Sequence, residues 1–183
     1  KMAGARYIVL TSKHHEGFCL FDSALTDFKA TNTPARRDLL RPMLDAFRGR
    51  GMRTGLYYSL IDWHHPDFTV DSLHPLRKAP NRAELNERRD MDRYRAYLHG
   101  QVRELLTDYG DIDILWADFS YAAGGHADAL AAGSDGKGRK DWDSETLVRM
   151  IRELRPDILL NDRLDYPDEA DITTPEQFMP DAW

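Results

Sequence analysis

The sequence predicts an α/β fold, part of a (β/α)8 TIM-like barrel with about four βα units, on three observations. Strand-like runs rich in β-branched and aromatic residues alternate with runs at helical spacing, the pattern of βα units around a parallel sheet. Each strand-like run ends in polar or aromatic residues, as expected where strand ends converge on one face of a barrel. No stretch of linker composition divides the 183 residues, and no short-period repeat is visible, so 1–183 reads as one partial barrel domain, shorter than the roughly 250 residues of a complete barrel.

The elements follow in order. Tyr7 to Thr11 (YIVLT) reads as the first strand. Arg37 to Arg50 places Leu39, Leu40, Met43, Leu44 and Phe47 at helical spacing and stops at Gly51, a residue suited to the left-handed turn that ends helices. Arg53 to Ser59 (RTGLYYS) is the second strand. A long polar segment from Asp62 to about Asn86 precedes a helix reaching Tyr109, with Tyr94, Tyr97, Leu98, Val102, Leu105 and Leu106 on one face and Gly110 closing it. Ile112 to Ala117 (IDILWA) is the third strand, and the Gly-, Ala- and Asp-rich stretch from Ala122 to Lys140 reads as loop. Asp143 or Ser144 caps a helix through Leu154, stopped by Pro156, and Ile158 to Leu160 is the fourth strand. The chain reaches its first strand within a few residues of Lys1, so N- and C-terminal parts of the barrel are expected to be missing, with two sheet edges left open.

Composition narrows the function. The net charge of −6 and the mixing of basic with acidic residues argue against a nucleic-acid binder. No apolar run approaches the roughly 20 residues needed to cross a bilayer, and no signal-peptide pattern opens the chain; neither the compartment nor the oligomeric state can be read. Cys19 is the single cysteine, which excludes an intrachain disulfide and a thiolate-rich zinc site.

The strand ends supply the chemistry. Lys13, His14 and His15 follow the first strand, Tyr57, Tyr58 and Ser59 close the second, Trp116 and Asp118 the third, and Asn161, Asp162 and Arg163 follow the fourth. Because neighbouring side chains on a strand face opposite ways, only one of His14 and His15 can enter a site while the other packs, unless the strand has already ended. Asp118 leaves the sheet beside a large aromatic, where it either faces a ligand or serves as a cap or loop salt bridge. Acid/base hydrolysis needs a second carboxylate, and downstream stand Asp162, Asp165, Asp168, Glu169, Asp171 and Glu176. Glu176 is set apart by the extended Thr173-Thr174-Pro175 before it, whereas Asp165 to Asp171 resembles an ordinary acidic loop.

His14, His15, His64, His65, Asp118 and Asp162 are residue types that bind metals. No H-E-x-x-H or paired-cysteine spacing organises them, and His64, His65, His74, His99 and His126 read as surface loop residues. Trp116 and Tyr57 suit stacking on a sugar ring, with core packing as the alternative. From the residues alone the chain reads as a barrel hydrolase acting on carbohydrate.

Several motifs in one order, G-A-R-Y-I-V-L-T-S-K-H-H-E-G-F-C-L-F-D-S, T-D-F-K-A-T-N-T-P-A-R-R-D-L, G-L-Y-Y-S, L-W-A-D, N-D-R and T-P-E, resemble the family 29 glycoside hydrolases, the retaining α-L-fucosidases, across nearly the whole chain. The resemblance implies a partial glycoside hydrolase catalytic barrel over 1–183 and hydrolysis of terminal α-L-fucosides, with no cofactor and no catalytic metal. It implies that a fucosylated oligosaccharide or glycoconjugate is the partner. Carried over residue by residue, His14 and His15 bind fucose hydroxyls, Tyr57 lines the sugar subsite, and Trp116 contacts the sugar. Asp118 is the nucleophile, Arg163 a site arginine, and Glu176 falls where part of the family carries its acid/base. The rival readings are an inactive carbohydrate-binding barrel remnant and a metal-dependent barrel hydrolase.

Overall fold

The computed structural model describes residues 4–121 and 135–174. Its centre is a parallel sheet of four strands, β1 (Tyr7–Lys13), β2 (Arg53–Ser59), β3 (Ile114–Asp118) and β4 (Leu159–Leu160), in the order β1-β2-β3-β4. Parallel neighbours require a crossover, and helices supply it. α1 (Leu40–Arg48) joins β1 to β2, α2 (Arg82–Glu87) and α3 (Met91–Asp108) lie between β2 and β3, and α4 (Arg139–Trp142) and α5 (Ser144–Leu154) between β3 and β4.

Pairing sorts the side chains into two faces. Leu10, Leu56 and Leu115 align across neighbouring strands, as do Leu115 and Leu160, and these residues pack with Leu44 of α1, Leu98 and Val102 of α3 and Ile151 of α5 in one core. The opposite face carries Tyr57 paired with Trp116, and Ser59 with Asp118. Gly55 sits in the middle of β2, where an added Cβ would lie 2.8 Å from Cβ of Ile114 and 3.1 Å from Cγ2 of Val9. A side chain there would push both neighbouring strands away.

Five details differ from the sequence reading. β1 runs two residues beyond Thr11, through an irregularity between Thr11 and Lys13 where the Ser12 hydroxyl donates to the Tyr57 carbonyl at 2.7 Å. α1 starts at Leu40 rather than Arg37 because the Asp38 carboxylate accepts from the Arg41 amide at 2.8 Å, satisfying a first-turn donor. A short helix, α2, forms inside the segment read as polar connection, before Asp90 caps α3 by accepting from the amides of Asp92 and Arg93. α4 starts at Arg139, within the stretch read as loop, where the Asp141 carboxylate accepts from the Gly138 amide at 2.9 Å. Asp143 stands at the N-cap of α5 in a left-handed conformation without a capping side-chain bond, and the Ser144 hydroxyl instead donates to the Leu164 carbonyl at 2.5 Å.

Candidate active site

Asp118 ends β3 with both carboxylate oxygens engaged. The Tyr57 phenol donates to Oδ2 at 2.7 Å, and the Phe119 amide donates to Oδ1 at 2.9 Å. Phe119 has φ +70, a left-handed conformation that costs a bulky residue energy. It turns the chain sharply behind the carboxylate, and its ring lies edge-on to His14 and His15 at 5.7 and 5.3 Å between centroids. Burial, then the hydrogen bond to Asp118, raises the Tyr57 pKa well above the ordinary phenol range, so Tyr57 stays protonated and remains the donor.

β1 ends at Lys13, so strand alternation no longer separates the paired histidines. Their rings approach to 4.0 Å between centroids, and His14 stacks on Tyr57 at 5.4 Å. Glu16 Oε2 lies 3.2 Å from His14 Nδ1 and 3.5 Å from His15 Nδ1. The first is a hydrogen bond; the second lacks hydrogen-bond geometry and leaves His15 Nδ1 buried without a partner. Both side chains stay partly open, 40% for His14 and 28% for His15, and the division into one working and one packing histidine is not what the structure displays. Burial, followed by the neighbouring His14, lowers the His15 pKa.

Trp116 aligns with Tyr57 across β2 and β3 and is partly buried. Arg163, in the 3-10 turn Asp162–Leu164 that directly follows β4, donates from Nε to Thr174 Oγ1 at 2.9 Å and from Nη2 to the Thr174 carbonyl at 3.1 Å. Its charge opposes the upward pKa shift of Tyr57. Asp162 holds Thr174 from the other side, accepting from its amide at 3.2 Å and from its hydroxyl. Glu176 lies outside the described residues, as does His126.

The site also contains Trp63, which the sequence reading did not name, and Asn161, which it named only as a strand-end residue. Trp63 packs on His15 at 4.0 Å between ring centroids, and its amide donates to the His15 carbonyl at 2.9 Å. Its signal was position, since it stands four residues past a strand end. Asn161 is buried and works through its side chain: Oδ1 accepts from the Ala117 amide and Nδ2 donates to the Ala117 carbonyl, both at 2.9 Å. The carboxamide thus imitates one rung of a strand ladder next to Asp118. Asn161→Ala would strand both buried Ala117 groups and is expected to lower the unfolding free energy by about 2–4 kcal/mol, read by denaturant unfolding, with a parallel fall in turnover. Unchanged unfolding would show that Ala117 does not depend on this side chain.

Among the described residues, His14, His15 and Glu16 are the one group of metal-ligand types whose donor atoms lie within 4.8 Å of one another. Asp118, His64, His65 and Asp162 do not join it. His74, read as a surface residue, is buried and stacks on Phe68, and His99 lies on α3 with a ring nitrogen 2.7 Å from the Trp142 carbonyl. His65 is half-buried against Tyr97.

Burial lowers the pKa of His15, His65 and His74. An imidazole whose folded pKa is depressed is neutral in both states at high pH, and the unfolded chain takes up the proton first as pH falls. Stability is therefore expected to be complete above the ordinary histidine pKa of about 6.5 and to decline below it, seen as a melting temperature that falls between pH 7 and pH 5. A flat profile across that window would contradict the burial of these rings.

The fold and the cluster define a class: a parallel α/β domain bearing a carboxylate, imidazoles, a phenol and indoles at the carboxyl ends of its strands. The profile described as "Alpha-L-fucosidase" matches residues 1–183, and the chain belongs to that family. It is 50% identical to alpha-L-fucosidase isoenzyme 1 from Paenibacillus thiaminolyticus, with a TM-score of 0.81 over 98% of this chain and 41% of that one. It is 45% identical over 121 residues to human plasma alpha-L-fucosidase, 63% of this chain and 22% of that protein. A Bacteroides thetaiotaomicron family 29 alpha-L-fucosidase, solved as a trapped covalent intermediate with 2-fluoro-fucosyl fluoride, is 28% identical, with a TM-score of 0.66 over 87% of this chain and 31% of that one. The chain thus spans less than half the length of each of these relatives.

Proposed function

We propose that this chain forms part of the catalytic (β/α)8 barrel of a retaining exo-α-L-fucosidase, with 1–183 as one partial domain and a terminal fucose of an oligosaccharide or glycoconjugate as substrate. The observation that carries the reading is Asp118, a carboxylate at a parallel strand end whose oxygens are aimed by Tyr57 and the Phe119 amide. Two-step retention requires a nucleophile held close to the anomeric carbon, and a carboxylate fixed by two donors loses little orientational freedom on attack. The trapped covalent intermediate in the Bacteroides relative supports the same chemistry here.

In this scheme Asp118 attacks the anomeric carbon from the face opposite the leaving oxygen, and Glu176 gives that oxygen a proton. Water then displaces Asp118 while Glu176 takes its proton, and fucose leaves with its original configuration. His14 and His15 donate to sugar hydroxyls, Tyr57 and Trp116 border the ring, and Arg163 lies beside the subsite. Tyr57 holds Oδ2 in place by donating to it at 2.7 Å.

The experiment is hydrolysis of an aryl α-L-fucoside by the full-length gene product, followed by proton NMR. α-L-Fucose is expected as the first-formed anomer. Initial β-L-fucose would overturn retention, and no hydrolysis would favour a carbohydrate-binding remnant.

A further inference from the structure

A buried ion pair lies directly beneath the paired histidines, and the scheme above gives it no work. Lys13 is fully buried, and its Nζ lies 3.4 Å from Asp62 Oδ2 and 3.4 Å from the Ile61 carbonyl. The ammonium sits over the ring of Tyr58 at 4.6 Å. Asp62 is as deeply buried and accepts three further donors: the Tyr97 phenol at 3.2 Å and the amides of His64 and His65 at 3.0 and 2.9 Å.

The placement of this pair matters more than its energy. An ion pair in an aromatic interior gains little over well-packed apolar residues of the same volume, because both charges lose their hydration. Lys13 is the last residue of β1, and Asp62 lies three residues past the end of β2. The residues that follow each partner, His14-His15 and Trp63, form the wall beside Asp118. The turn bearing the histidines closes with the Gly17 amide donating to the His14 carbonyl at 3.0 Å. Gly17 has φ +87, and a Cβ there would run into the Asp62 carboxylate. The turn therefore rests on Asp62 itself.

We propose that Lys13 and Asp62 are positioning residues, a buried clamp that locks the exits of β1 and β2 together and so sets where His14, His15 and Trp63 meet the sugar. Neither touches substrate. The inference rests on the assignment of the histidines to sugar binding, and its readouts are chosen to fail separately from that assignment.

The test is the paired substitution Lys13→Met with Asp62→Asn in the full-length protein. It removes both charges, keeps side-chain volume, and leaves an amide oxygen to accept from His64 and His65. Melting close to the wild type is expected, with kcat/KM on an aryl α-L-fucoside falling about 10- to 100-fold, as for a misplaced binding group, mostly through KM. The imidazole NMR signals of His14 and His15 are expected to shift. Gly17→Ala, which keeps the pair but presses a methyl against Asp62, is the second variant and should give the same signature. Wild-type imidazole signals with kcat/KM within twofold, in either variant, would overturn the clamp. Shifted signals in the variants, with a wild-type protein that hydrolyses no fucoside, would keep the clamp and discard the fucosidase reading.

Discussion

Asp118→Ala is expected to lower turnover of an α-L-fucoside by about a thousandfold or more, the scale seen when a nucleophile is removed and only binding remains. The structure indicates why little of this loss would come from misfolding. Asp118 is only partly buried, its carboxylate bonds to one phenol and to the amide of the next residue, and the strand end is secured independently by the Asn161 bonds to Ala117. Deleting the carboxylate leaves a space the size of a small anion. Azide should enter it and attack the anomeric carbon from the same side, expelling the aglycone and giving β-L-fucosyl azide. Asp118→Asn, which still accepts from Tyr57, should be equally inactive while melting like the wild type. Wild-type rates in Asp118→Ala, with or without azide, would remove Asp118 from the chemistry.

Much of this arrangement was legible in the sequence because strand ends and helix stops are written in local residue types. The strand-like runs located all four strands to within two residues at either end, and Gly51 and Gly110 take the positive φ their stop signals implied. What local pattern does not carry is how far a strand continues through an irregularity. Ending β1 at Thr11 or at Lys13 decides whether Lys13 is a rim residue or a buried cation, and only pairing with Tyr58 settles that.

Contacts between distant loops were hidden for the same reason. Trp63 stands 48 positions from His15 and Asn161 stands 44 from Ala117, separations at which no periodicity operates. Asp62 reads as one more loop carboxylate until the fold packs Tyr97 of α3 and Lys13 of β1 around it. The histidine pair was the instructive case. Alternation on a strand assigns the two rings opposite fates, whereas the turn closed by Gly17 gathers them at 4.0 Å.

Glu176→Ala is expected to separate substrates by their leaving groups. An acid/base contributes about 10²–10⁴-fold where the leaving oxygen needs its proton, so hydrolysis of a fucosylated glycan should collapse. An aryl fucoside with an acidic phenol departs almost unaided, so it should form the fucosyl-enzyme at a rate close to the wild type and then stall, because no base activates water. Azide needs no deprotonation. It should attack the β-linked fucosyl group on Asp118 from the opposite face, release the carboxylate, and give α-L-fucosyl azide. This is the anomer opposite to that expected from Asp118→Ala, so the pair of products assigns the two carboxylates to opposite faces of the sugar. Thr174, held by Asp162 and Arg163, anchors the chain two residues before Glu176, and Asp162→Ala should weaken glycan hydrolysis more than aryl fucoside hydrolysis if that anchor serves the acid. Equal losses on both substrates in Glu176→Ala, with no α-azide formed, would transfer the acid/base role to another carboxylate of the full-length protein.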